Sequence, residues 1–426
     1  MSEADRTTFA AAAAAQSGKA AELALRLVAA ASPNPPNDTR VIARTAATLL
    51  AQLIPTAEIS FHHGSDTVMN LVARVHGSGP ARGPGEHPGR RIVFNGHLDT
   101  YPLGDPAAWT TNPAGELRDG RLFGRGAADM KAGIACSMVA LSLLAEHHAL
   151  WAGEAVLTLA GDEESMGALG TQHLIETVPH AVGDAVIVGD VGSPQVLRFG
   201  EKGFLWIEIE AAGRAAHGAH VHLGVNAIDR LRGALDALAN VRALRPDAPA
   251  ALTEAIAAAK PLSESLCGIG EADVLSSVTV NVARVDGGTL PNLVPASARA
   301  AVDARLPVGV STSVARTALH AALDGRDGIS WRVLRCVEPN YTDPGEEIVQ
   351  RCAAVAAEVL GSAPAINMRI GASDARLYRA AGCPTVVYGP TPYNMGGSDE
   401  HVLIEELETV TLVHALTAFD FLTAAP

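Results

Sequence analysis

Two stretches near the start of the chain, Lys19 to Ala31 and Arg40 to Leu53, repeat apolar residues at helical spacing. The segment Ser32-Pro33-Asn34-Pro35-Pro36-Asn37-Asp38 breaks the chain between them. Short apolar runs of strand length follow, and each stops at polar residues. Arg91 to Phe94 runs into Asn95-Gly96-His97-Leu98-Asp99, Ala155 to Ala160 into Gly161-Asp162-Glu163-Glu164, and Ala185 to Gly189 into Asp190. Pro384 to Tyr388 runs into a loop that ends at Asp399-Glu400-His401. Met130 to Ala149 reads as a helix with Asp129 at its N-terminal edge, where a carboxylate is favoured. Buried strands alternating with helices imply an α/β layer, whose sites lie beyond the carboxyl ends of the strands. Every cluster of acids and histidine just named falls at such an end.

The middle of the chain has a different period. Leu205, Ile207 and Ile209 alternate with polar neighbours, as do Val278, Val280 and Val282. Arg299 to Leu306 and Ile329 to Val333 read as two further half-exposed strands. Ile228, Leu231, Leu235 and Leu238 stripe one helix, and Val314 to Leu323 offers another. The order β-α-β-β-α-β is that of the split βαβ, ferredoxin-like motif. The expected organisation is a first domain at 1–200 and 338–426 with a second inserted at 201–337. Near Pro80 to Gly89 the sequence reads as a Pro/Gly turn.

Bulk composition narrows the partners. At 426 residues the chain is long for one hydrophobic core. With 48 % hydrophobic and 18 % charged residues it is expected to fold. A formal charge of -14 argues against a nucleic-acid surface, which would need a basic stripe. The cysteines Cys136, Cys267, Cys336, Cys352 and Cys383 are odd in number and never in C-x-x-C spacing, which suits unpaired thiols in a reducing compartment. Acids replace the bases of a secretory signal at the start, Ala10 to Ala15 is helix-prone, and no apolar run approaches the length of a membrane span. A cytoplasmic protein is expected.

His97 and Asp99, two apart on a strand, point the same way. A histidine that binds metal commonly passes its other ring N–H to a carboxylate. Asp129, Glu163, Glu164 and Asp190 would repel one another at neighbouring strand ends unless something paired them. Divalent cations resolve that conflict, and imidazole with carboxylate suits zinc, with manganese or cobalt as substitutes. The adjacent pair Glu163-Glu164 lets one carboxylate bind metal while the other takes a proton from water.

Phe94-Asn95-Gly96-His97-Leu98-Asp99-Thr100-Tyr101-Pro102 resembles the first metal motif of the co-catalytic zinc aminoacylase/carboxypeptidase family. That family includes acetylornithine deacetylase, succinyl-diaminopimelate desuccinylase and the glutamate carboxypeptidases. Gly124-Arg125-Gly126-Ala127-Ala128-Asp129-Met130-Lys131-Ala132-Gly133 resembles its second motif and Asp162-Glu163-Glu164-Ser165-Met166-Gly167 its third. The resemblance runs from Asn34-Pro35-Pro36 to near Leu412. It implies a mixed α/β catalytic domain with an inserted lid that forms a homodimer. It implies two metal ions, zinc above all, bridged by Asp129, with His97 and Asp190 completing one site and Glu164 belonging to the other. Glu163 would then be the general base and Asp99 the support for His97, and the peptide bond after Asp129 is expected to be cis. Aspartate at position 190, where related carbamoylases carry histidine, favours acyl-amino-acid or peptide hydrolysis. In the inserted domain Gly213-Arg214-Ala215-Ala216-His217-Gly218 resembles the segment whose histidine stabilises the oxyanion in a partner subunit. Asn281, Asn292 and Arg305 resemble the side that holds a substrate carboxylate, for which a planar guanidinium is suited. Gly371-Ala372-Ser373-Asp374-Ala375-Arg376 resembles a glycine-rich substrate loop, with one family glycine replaced by Ala372.

The chain departs from the pattern at one point. The family's last ligand is a histidine four residues before the glutamate of its final D-E motif, and that position here is Gly396. His401 lies on the far side of Glu400. Either the Gly396-Gly397 loop brings His401 or Asp399 to the metal, or the second site is weak or completed by solvent. The expected activity is hydrolysis of the amide bond of an N-acyl amino acid beside a carboxylate. A dipeptidase or carboxypeptidase is the alternative, and a metal-poor binding protein of the same fold is a third reading that a retained Glu163 disfavours.

Overall fold

The computed structural model describes residues 2–79 and 89–424. Apart from Gly89, the Pro/Gly turn expected near Pro80 lies outside the described residues. The chain divides into two compact units, one of Met1–Phe199, Thr342–Asn367 and Ser373–Pro426, the other of Gly200–Tyr341 and Met368–Ala372. The short return segment Met368–Ala372 joins the second unit, where the Lys202 N–H donates to the Arg369 carbonyl at 3.1 Å.

In the first unit four parallel strands lie side by side in the order Ala152–Ala160, Arg90–His97, Ala185–Val188, Thr385–Val387. Met69–Ser78 and Glu58–His63 extend the sheet antiparallel at one side, and Val196–Glu201 runs antiparallel beside Thr385–Val387 at the other. Each of the four parallel strands carries an apolar stretch buried on both faces, Ile92 to Phe94, Ala155 to Leu157, Ala185 to Val188 and Val386 to Val387, as strands covered on both sides require. The register sets His97 opposite Ala160 and Asn95 opposite Val188, so the polar ends of three strands emerge level with one another. From Arg90–His97 the chain crosses to Ala152–Ala160 on one side and later returns to Ala185–Val188 on the other. That divergence makes a crevice at the carboxyl end of Arg90–His97.

The crossover helix spans Ala132–Glu146, shorter than the expected Met130–Ala149, and packs against Ile404–Thr423 and Lys19–Ala29. Contrary to the sequence expectation, the stretch Ala127–Glu146 is long and apolar enough by composition to cross a membrane. It is 94 % buried within the protein, as an all-round apolar core helix should be. Gly133 lets it start hard against the sheet, since a Cβ there would lie 1.7 Å from the Gly189 carbonyl oxygen. Any side chain at 133 would push the helix start away from Asp190.

The second unit is a four-stranded antiparallel sheet in the order Thr279–Gly287, Ser297–Leu306, Gly203–Ala212, Ile329–Val337. Helices Ala227–Ala237 and Thr312–Leu323 place Leu231, Ala234, Ala315 and Leu319 in one core with Leu205, Ile207, Ile209 and Val302. This is the ferredoxin-like β-α-β-β-α-β arrangement, with Ala250–Cys267 and Glu271–Ser276 added before the second strand. Ile228, expected in the buried stripe, is 41 % exposed, its side chain reaching only the Gly287-Gly288 turn rather than the core.

Candidate metal centre

His97 closes the strand Arg90–His97 and is buried. Its Nδ1 lies 2.9 Å from the Asp99 backbone carbonyl, so that carbonyl sets the ring and leaves Nε2 facing outward. Nε2 lies 2.9 Å from Asp129 Oδ1. Ligand atoms of His97, Asp129 and Asp190 all fall within 4.8 Å of one another.

Asp129 does not cap the helix as expected. It sits in a wide turn, Ala127–Lys131, with extended backbone angles (φ −116°, ψ 94°), and the Asp129–Met130 bond is cis. The N–H groups of Ala128 and Asp129 are satisfied by Glu400 Oε1 at 3.0 and 3.2 Å. With its own backbone held by another acid, the Asp129 carboxylate is spared for His97. Glu400 is in turn paired with Arg125.

The support given by Asp99 differs from the simple carboxylate–imidazole contact expected. Its carboxylate lies 3.6 Å from His97 Nδ1 and accepts instead from the Glu163 N–H (3.1 Å), the Glu164 N–H (3.1 Å) and Asn34 Nδ2 (2.9 Å). One buried carboxylate therefore fixes both glutamates relative to the histidine. Although burial works against it, the contacts to His97, Asn34 and the Glu164 N–H hold Asp99 below the usual carboxylate range.

Glu163 and Glu164 occupy a single turn after Ala152–Ala160. Burial raises Glu163 well above the ordinary carboxyl value; His97 opposes the shift, and Asp374 and Asp190 add to it. Burial likewise pushes Glu164 up to about 8, against His97 and with Asp129, Asp99 and Asp190. Glu164 Oε1 is buried and has no hydrogen-bond partner. An acid-rich cluster in which Glu163 and Glu164 resist ionisation, with an imidazole and the orphaned Glu164 Oε1 in it, is a donor set that fits divalent cations.

Residues 93–420 match the model of peptidase family M20/M25/M40. The chain belongs to this family. Among curated proteins it is 30 % identical to a succinyl-diaminopimelate desuccinylase of Methylorubrum populi over 365 residues, 82 % of this chain and 85 % of that one. Among solved structures it resembles the M20 family metallo-carboxypeptidase Sso-CP2 of Sulfolobus solfataricus, with a TM-score of 0.73 at 17 % identity, covering 95 % of this chain and 100 % of that one. The YXEP protein of Bacillus subtilis, a dinuclear metal-binding peptidase of the M20 family, superposes with a TM-score of 0.65 at 14 % identity, covering 96 % and 99 %. As an M20 protein the chain is a hydrolase of amide bonds.

The other expected site residues are distributed as follows. Ser373 is buried at the start of the helix Ala375–Ala380, and its carbonyl accepts from Arg376 Nη1 at 2.6 Å. Arg376 Nη1 stands 3.9 Å from Glu163, and Thr171 Oγ1 donates to Asp374 at 2.7 Å. Arg376 and Asp374 were not singled out from the sequence. Their loop was visible as a motif, but nothing in it signals that two of its charges approach a glutamate some 200 positions earlier. Gly371, His217, Asn281, Asn292 and Arg305 belong to the second unit. There His217 is exposed and its Nδ1 accepts from the Ala219 N–H, Asn292 accepts through its carbonyl from the Gly218 N–H at 2.7 Å, and Asn281 pairs with Asp303 across two strands. Arg305 holds Asp303 at 3.0 Å through Nε and lies over the Phe204 ring.

His401 is not brought to the cluster. Its ring stacks on Tyr393 at 5.0 Å and tilts against Phe123 at 4.7 Å, while Nδ1 lies 2.9 Å from the Asp399 carbonyl. It begins the strand His401–Leu403, which pairs with Arg121–Phe123, and this pairing fixes its direction. Asp399 is also engaged elsewhere, accepting from the N–H and hydroxyl groups of Thr110 and Thr111 at 2.7 to 3.0 Å.

Proposed function

We propose that this M20 hydrolase is a zinc-dependent deacylase of N-acyl amino acids, acting on the amide bond beside a carboxylate. The convergence of His97, Asp129 and Asp190 beside the buried Glu163 carries this reading. His97 and Asp190 would hold one cation, Glu164 the other, and Asp129 both. When bound, the cations supply Lewis acidity to the amide carbonyl and lower the pKa of a neighbouring water; cobalt or manganese could do the same. Glu163 takes the proton from water and returns it to the leaving nitrogen. Asp99 keeps Glu163, Glu164 and His97 in one fixed arrangement, so the base needs no reorganisation during turnover.

The resemblance assigns His217 to the oxyanion of a partner subunit's site, within a homodimer formed through the second unit. It assigns Arg305, Asn281, Asn292, Gly371 and Ser373 to the substrate. Because Arg305 already spends Nε on Asp303, a substrate carboxylate would meet its two terminal nitrogens. The name of the curated relative puts N-succinyl amino acids first among candidate substrates. Five cysteines that form no disulfide favour a reducing compartment such as the cytoplasm, and the net charge of -14 disfavours nucleic acid as a partner.

The test is a panel of N-succinyl and N-acetyl amino acids with dipeptides as the competing class. Free amino acid is measured with metal content before chelation, after it and after zinc is restored. Release from the acyl amino acids that chelation abolishes and zinc restores is expected. Preferential cleavage of dipeptides would move the assignment to a dipeptidase, and chelator-insensitive cleavage would contradict metal dependence.

A further inference from the structure

A cavity of about 180 Å³ opens between the end of the helix Lys19–Ala29, the Ser32-Pro33 bend and the segments around Thr100 and Pro113. On its lining Ala29, Ala31 and Ala114 are exposed and form a rim, whereas Val28, Arg125 and Lys131 are buried and form its base. None of His97, Asp129 and Asp190 lines it, so it is separate from the metal cluster.

The base holds two cations with more donors than partners. Arg125 is 8 % exposed, and its terminal nitrogens are taken by Glu400 and by the carbonyls of Leu103, Gly396 and Gly397. Its Nε has no acceptor among the described residues. Lys131 is 1 % exposed, and its Nζ, an ammonium with three N–H groups, donates once, to the Ala30 carbonyl at 2.8 Å. A Cβ at Gly126 would lie 3.4 Å from Lys131 Cδ and Cε, so the lysine stem runs along the backbone beside Arg125. Buried donors of this kind cost free energy unless an acceptor reaches them. The walls above them, Pro33, Leu103 and Pro113, are apolar and give no side-chain partner to an amide or a hydroxyl.

We propose that this cavity binds a free, short-chain aliphatic monocarboxylic acid as its anion. The carboxylate enters first and accepts from Arg125 Nε and Lys131 Nζ, and the hydrocarbon tail lies against the apolar walls. Glu400 already neutralises one of the two positive charges, so a single negative charge balances the base, which favours a monocarboxylate over a dicarboxylate or a phosphate. An apolar cavity of ~150 Å³ accommodates benzene, so this one suits a chain of about five or six carbons.

The experiment titrates the full-length protein, with and without chelator, with the sodium salts of the straight-chain acids from acetate to octanoate by isothermal calorimetry. Affinity is expected to rise about 3–4-fold with each methylene until the cavity is full, to stop rising beyond hexanoate, and to be the same with chelator. Pentanol, which lacks the charge, is expected to bind about 10–100-fold more weakly than pentanoate, and Lys131→Met to weaken pentanoate by a similar factor. Ala114→Trp closes the rim from an exposed position and is expected to abolish pentanoate binding with an unchanged melting temperature, so it decides the matter even if Lys131→Met does not fold. Failure of every acid to bind would overturn the proposal, as would affinity independent of chain length, binding of pentanol as tight as that of pentanoate, or undiminished binding in Ala114→Trp. Binding that chelator abolishes would place the carboxylate on the metal instead and overturn it as well.

Discussion

Replacing Glu163 with glutamine is expected to lower kcat by about 10²–10⁴-fold, the usual range for removing a positioned acid–base group, while metal content stays at the wild-type level. Glu163 is buried beside the cluster but is not one of the three residues whose ligand atoms converge. Glutamine preserves its volume and removes only the capacity to accept and return a proton. The environment suits that role: burial keeps the carboxyl well above its ordinary value, while His97 and the Arg376 guanidinium, 3.9 Å away, favour its ionised form. A carboxyl balanced between these influences can both accept a proton and give it back. Activity within a few-fold of wild type, measured beside elemental analysis, would place the base elsewhere.

Asp129→Ala is expected to lose metal more completely than any other single change. Asp129 lies 2.9 Å from His97 and is one of the charges that raise Glu164, so it borders both places where a cation would sit. Without it His97 and Asp190 remain as two protein ligands, too few to hold zinc firmly. After dialysis against metal-free buffer the variant should carry no zinc at either site and show no turnover. Retention of one cation at wild-type affinity would show that Asp129 serves only one site.

The parts of this architecture that could be read from the sequence are those that repeat with a period or end abruptly. Apolar strands that stop at His97, Glu163 and Asp190 announced both the sheet and the edge where its chemistry gathers, because burial on both faces demands an unbroken apolar run. The helix Ile404–Thr423 was not read, since it is apolar on almost every side and carries no stripe. Ala250–Cys267 was missed as well, its pattern blurred by alanines and by Pro261. Within the site, residue identities were legible and their partners were not. Asp99 was read as a support for His97, yet its carboxylate binds the backbone N–H groups of Glu163 and Glu164. A backbone contact leaves no mark on the identity of the residue that supplies it. The loop at Gly396 shows the same division: the missing histidine was visible in the spacing, but the approach of Tyr101 from nearly 300 positions away was not.

The most direct measurement is anomalous X-ray scattering at the zinc edge from crystals of the zinc-loaded protein. The assignment predicts a strong peak bonded to His97 Nε2 and to carboxylate oxygens of Asp129 and Asp190, with Glu163 beside it but unbonded. A well-occupied zinc peak elsewhere, with none at these three side chains, would contradict it.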